Sequence, residues 1–132
     1  MRTRSAAGRS FSPPVKSIPP KQAAYLLDIF RSVEVIRGYV AGQTSEQFLK
    51  DGKTQDAVLR RILVAGEAAA RLTPETCAEF PGIPFHKIVG MRNRVVHDYG
   101  HVDFEIVWET VQTHLPTLFK ELETYFAERP DT

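Results

Sequence analysis

A chain of 132 residues, 42% hydrophobic and 25% charged, has room for one core and too little for two ordinary domains. It has no stretch near the roughly 18 apolar residues that a membrane span requires, residues 1 to 20 lack the apolar segment of a secretory signal, and its one cysteine can make no internal disulfide, which fits the cytoplasm expected for it. The formal charge of +1 is uneven: residues 1 to 21 carry five basic side chains and no acid, leaving 12 basic against 16 acidic residues beyond them, which argues against a broadly basic nucleic-acid surface on the folded part.

Residues 1–20 set Pro13, Pro14, Pro19 and Pro20 among Arg, Ser and Gly and read as a disordered basic tail, with the folded domain expected over residues 21–132. From Lys21, the residues Tyr25, Leu26, Ile29, Phe30, Val33, Ile36, Tyr39 and Val40 recur at the spacing of an amphipathic helix. Pro20 suits its first turn and Gly42 its C-terminal cap. Ser45 is placed to cap a short helix from Glu46 to Asp51, closed by Gly52. Thr54 opens the next long helix, in which Val58, Leu59, Ile62, Leu63, Ala65, Ala69 and Leu72 leave only a narrow polar strip holding Arg60, Arg61, Glu67 and Arg71. So wide an apolar face marks the most buried helix of a bundle, and the i, i+4 spacing of Glu67 and Arg71 predicts a surface pair.

Thr73-Pro74 begins a single turn carrying Cys77, the lone cysteine, expected as a small half-buried side chain. A loop follows over Phe80 to Pro84, and Pro84 starts a helix at Phe85. Asp103 is placed to cap a last helix, with Val102 and Val107 as a hydrophobic staple and Pro116 expected to kink it. With no strand-like alternation, the chain reads as an all-α bundle of about five helices.

The helix from Phe85 holds the chemistry. On a wheel of 3.6 residues per turn, Phe85, Ile88, Val89, Val95, Val96 and Tyr99 share one face, and Arg92 falls in its middle. Arg92 and His97 are five apart, about 140° round, so they do not converge on one straight helix. An end of the helix near His97, or a second copy meeting this face across a two-fold axis, could bring them together. Four readings fit these residues. One is RNA cleavage, in which the 2′-OH attacks the adjacent phosphate, with His97 moving protons, Arg92 balancing charge and Asn93 orienting one of them. Another is a metal site from His97, Asp98, His101 and Asp103, weakened by Gly100 breaking the helix. The third is a binding surface without catalysis, and the fourth is purely structural, with Arg92 paired to an acid such as Glu67 and His97 capping helix carbonyls.

The run Met91-Arg92-Asn93-Arg94-Val95-Val96-His97-Asp98-Tyr99, an R-x4-H-x-Y pattern, resembles the signature of HepT-type toxins of the HEPN superfamily. The likeness extends to Asp56–Arg61 with Gly66-Glu67-Ala68, and to Val107-Trp108 with Leu115–Leu118, covering most of residues 22 to 126. The resemblance implies a HEPN-type bundle that forms a homodimer with motif helices facing across an RNA-sized cleft. It implies an endoribonuclease that uses no metal or other cofactor, with Arg92 and His97 catalytic and Asn93 in support. As partner it implies an MNT-type nucleotidyltransferase antitoxin, which adenylylates Tyr99. The alternative within the family reverses the roles, making this chain the non-catalytic antitoxin partner of a toxic nucleotidyltransferase.

Overall fold

The computed structural model describes residues 18–129. The expectation for the basic tail falls almost wholly on residues 1–17, outside the described residues. Within them the protein is all α: α1 (Pro20–Val40), α2 (Ser45–Leu49), α3 (Gly52–Ala70), α4 (Pro74–Ala78), α5 (Phe85–His97), α6 (Phe104–Thr113) and α7 (Leu115–Ala127), with a 3-10 turn at Tyr99–His101. Five of the helices are long; α2 and α4 are single-turn pieces of five residues.

α3 is the centre of the bundle, packed along α1 on one side and α5 on the other. Its Val58, Leu59, Ile62, Ala65, Ala68 and Ala69 are buried, as its wide apolar face predicts. α7 lies on α1 and α6, where the rings of Phe30 and Phe119 stack at 5.1 Å. The buried Gln22 of α1 ties down the end of α3: its Nε2 donates to the Arg71 carbonyl at 3.1 Å and its Oε1 accepts the Thr73 N–H at 2.8 Å. Each polar atom of that amide so finds a partner, the condition on which a polar group is buried cheaply.

The helix boundaries correct three expectations. Thr44, not Ser45, caps α2, because its side chain accepts the Gln47 N–H while the Gln47 side chain reaches back to the Thr44 N–H, a reciprocal pair that Ser45 has no partner to make. Gly52 opens α3 rather than closing α2, since Asp51 caps α3 through the Thr54 N–H and Thr54 Oγ1. Pro116 does more than kink the last helix: the α-helix stops at His114, and Pro116 sits in the first turn of α7, where its missing N–H costs nothing. Tyr39 is 44% exposed despite its place in the apolar pattern, one position short of the end of α1. Gly42 has φ of +79°, as expected for the residue that turns the chain out of α1.

Hydrogen bonds from the Thr54 side chain and backbone, and from Gln43, hold the Asp51 carboxyl below its ordinary pKa. A group depressed on folding adds stability above its unfolded pKa and loses it as the pH falls through its folded value. Asp51→Ala is therefore expected to lower stability at neutral pH, with the gap to wild type closing as the pH drops through the carboxylate range, read by urea unfolding at a series of pH values.

Candidate active site

α5 presents its Phe85 and Val95 to the core, with Ile88, Val89 and Met91 packed at its margin. Val96 departs from the expected apolar face: it is 52% exposed, because it borders an open groove of about 470 Å3 shared with Tyr25, Leu63, Val64 and Glu67 rather than a packed neighbour. The helix ends at His97, Asp98 turns the chain, and Tyr99 opens the 3-10 turn. The side chain of Tyr99 lies outside the described ones.

Arg92 lies where α5 crosses α3. A Cβ built on Gly66 would stand 2.6 Å from Arg92 Cγ and closer still to Arg92 Cβ, so the absence of a side chain at Gly66 is what lets the arginine stem lie against α3. Its head is held from two sides: Nη1 donates to Asn93 Oδ1 at 2.8 Å, and Nη2 forms an ion pair with Glu67 Oε2. The other Glu67 oxygen stands 3.8 Å from Arg71 Nη2, the surface pair expected from their spacing. The acid partner anticipated for Arg92 by the structural reading is thus present, and it is Glu67.

The clamp is incomplete, however. A guanidinium has five N–H donors, and the described residues engage it through Nη1 and Nη2 alone, while Nε is buried without a partner among them. The Arg92 side chain keeps 27% exposure, so part of the fork still faces solvent. His97 is exposed and, among the described side chains, its ring makes no hydrogen bond or ion pair, so the carbonyl-capping role does not describe it. The helix does end at His97, but His97 is still its last helical residue, so at five positions from Arg92 the two point about 140° away from each other. The residues weighed for a metal site do not gather either: among the described residues, no three His, Cys, Asp or Glu stand close enough to share an ion. Cys77 is half-buried, and burial pushes its thiol up, away from reactivity.

A family model described as ribonuclease HepT-like matches residues 29–125, which include α5 and everything Arg92 touches. The chain belongs to the HepT-like ribonuclease family. Among relatives, a protein of Methanocaldococcus jannaschii provisionally named an RNase is 34% identical over 76% of this chain and 83% of its own. Another from Thermococcus cleftensis, provisionally named ribonuclease HepT, is 34% identical over 75% of this chain and 90% of its own. A third, from Caldanaerobacter subterraneus and again provisionally named an RNase, is 32% identical over 75% and 88%. No solved structure matches the chain.

In this HepT-like chain the structure brings Arg92 and Asn93 together with Glu67 and leaves His97 apart from them. Gly66 entered the sequence reading only as part of the family likeness, with no packing role assigned to it. The signal was a glycine inside a helical pattern, a choice that costs about 1 kcal/mol relative to alanine and so asks for a packing reason. Arg92 supplies that reason. Because the blocking atoms are the root of the arginine and not its mobile end, Gly66→Ala is expected to force α3 and α5 apart and to lower stability by about 1–3 kcal/mol, measured by urea denaturation.

Proposed function

We propose that this HepT-like protein is the RNA-cleaving toxin of a toxin-antitoxin pair, with Arg92 and His97 as its catalytic pair. The observation that carries the reading is the half-open Arg92, positioned by Gly66, Glu67 and Asn93 yet with donors to spare, five residues before an exposed histidine that has no partner among the described side chains, in a chain of a ribonuclease family. His97 takes the proton of a ribose 2′-OH as its oxygen bonds to the adjacent phosphorus. The bond from phosphorus to the 5′-oxygen then breaks, and a protonated histidine returns a proton to that leaving oxygen, giving a 2′,3′-cyclic phosphate and a 5′-OH. Arg92 offers a planar fork to the charge that gathers on the phosphoryl oxygens, and Asn93 holds that fork in register.

Divergence of Arg92 and His97 on one helix favours a homodimer in which motif helices face each other, so that each arginine works with the partner's histidine. Supporting this, the groove beside Arg92 has exposed Val96 with Tyr25, Leu63 and Val64, and charges of both signs in Asp28, Arg60, Glu67 and Arg71. A surface with apolar residues and both signs of charge is suited to meet its own copy. Silencing falls to an MNT-type nucleotidyltransferase antitoxin that adenylylates Tyr99, at the start of the turn after His97. An adenylyl phosphoester there adds negative charge and bulk near the arginine that the RNA phosphate needs.

Arg92→Ala and His97→Ala are each expected to abolish RNA cleavage and growth inhibition without changing the oligomeric state, and the wild type to keep cleaving in a strong chelator. Full cleavage by either variant overturns the assignment. Co-expression with the neighbouring nucleotidyltransferase gene is expected to add adenylyl mass to Tyr99, seen by intact-mass and peptide mass spectrometry. A neutralised complex with unmodified Tyr99 would refute that part.

A further inference from the structure

On the side of α5 turned away from Arg92, an open cavity of about 370 Å3 lies between α5 and the α6–α7 junction. Ile88, Met91, Ile106, Leu115 and Leu118 give it an apolar floor, and Ile106 is 39% exposed there. The chargeable side chains around it, His86, Lys87, Arg94 and His114, are all exposed, and no acid lines it. Residues 22 to 132 hold 12 basic against 16 acidic side chains, so a rim of basic groups alone runs against the balance of the chain. Lys87 and Arg94, seven apart, project within about 20° of each other. Neither forms an ion pair among the described residues, although Arg94 also borders a smaller cleft that holds Asp98 and Asp103.

Gly90 stands between the two cations, about one turn from each. A glycine in the middle of a helix costs about 1 kcal/mol relative to alanine, and internal packing does not call for this one, since a Cβ there would meet nothing within 4 Å. The chain shows elsewhere what such a glycine permits: at Gly66 the missing side chain lets α5 lie against α3. Gly90 offers the same close approach on the outer face of α5, where it is exposed. Two cations two turns apart, bare backbone between them and an apolar floor beside them form the complement of a helix with one apolar stripe and carboxylates at matching spacing. A second copy of this face does not meet that description, because a two-fold contact centred on it sets like charges against each other with no acid to offset them.

We propose that this face docks an acidic amphipathic helix of a partner protein. Its apolar stripe lies on Ile106, Leu115 and Leu118, its backbone closes on Gly90, and carboxylates about two turns apart pair with Lys87 and Arg94. The cavity is at the small end of the range for small-molecule pockets, a size that suits side chains projecting from a helix laid across it. The face is separate from Arg92 and His97, so the proposal stands whether or not that pair cleaves RNA.

The probe is a labelled synthetic peptide of about 18 residues, with leucines on one helical face and glutamates seven apart beside them, titrated with the full chain by fluorescence anisotropy. It is expected to bind, and about tenfold or more weakly when its glutamates become glutamines or when the same residues are scrambled out of helical register. Gly90→Leu introduces a better helix former, so the thermal midpoint should hold or rise while peptide affinity falls about tenfold or more. Lys87→Glu combined with Arg94→Glu is expected to lose the acidic peptide and to bind a version with lysines in place of the glutamates, a reversal that a misfolded variant would not give. Equal affinity for the helical and scrambled peptides, unchanged binding by Gly90→Leu, or no binding up to about 1 mM overturns the proposal. So does a change of oligomeric state in Gly90→Leu, which makes the face a contact between copies. A single-stranded RNA that displaces the peptide and itself fails to bind Gly90→Leu also overturns it, by making the face a nucleic-acid surface.

Discussion

Where Gly66 meets Arg92, two helices approach until the stem of an arginine takes the place of a missing side chain. The crossing does two jobs. It lets α5 lie against α3, the helix that itself packs along α1, so the spacing of α3 and α5 is set there. It also carries the guanidinium to Glu67, one residue after the glycine, so the residue that permits the approach and the residue that receives the charge are neighbours in sequence. Packing and electrostatics at the candidate site are therefore one arrangement. Any change that moves α3 relative to α5 moves the arginine head as well.

Much of the fold was legible from periodicity. Leu26, Ile29, Val33 and Ile36 repeat at helical spacing and are all buried, and the cap at Thr73 and the start of α5 at Phe85 follow from side-chain chemistry visible in the sequence. What escaped was decided by reciprocity or by neighbours. Thr44 outcompetes Ser45 because Gln47 answers it, and Val96 stands exposed because apolar character says nothing about whether another helix extends far enough to cover it. For the site, the motif residues could be named from sequence, and the Glu67–Arg92 pair was among the options weighed. The separation of Arg92 from His97 could be read from a wheel, but the seating of Arg92 on Gly66 and Glu67 depends on a helix crossing, which a wheel drawn for a single helix does not contain.

α5 separates two kinds of surface. Toward α3 and the Val96 groove, charges of both signs mix with apolar residues; toward α6 and α7, the wall carries basic groups over an apolar floor. The proposed dimer contact lies on the side where charges of both signs mix with apolar residues.

Phe48 belongs to a helix of five residues, yet it is fully buried, with its ring 5.2 Å from Trp108 and 6.2 Å from Phe104. A helix so short does not persist alone, because the cost of nucleation is never recovered by propagation. α2 is consequently held by tertiary packing, on α3 next to it and on α6, whose aromatic rings come from more than fifty residues later. A single turn so placed reports on the packing around it, and amide exchange in residues 45–49 is expected to follow the opening of that packing.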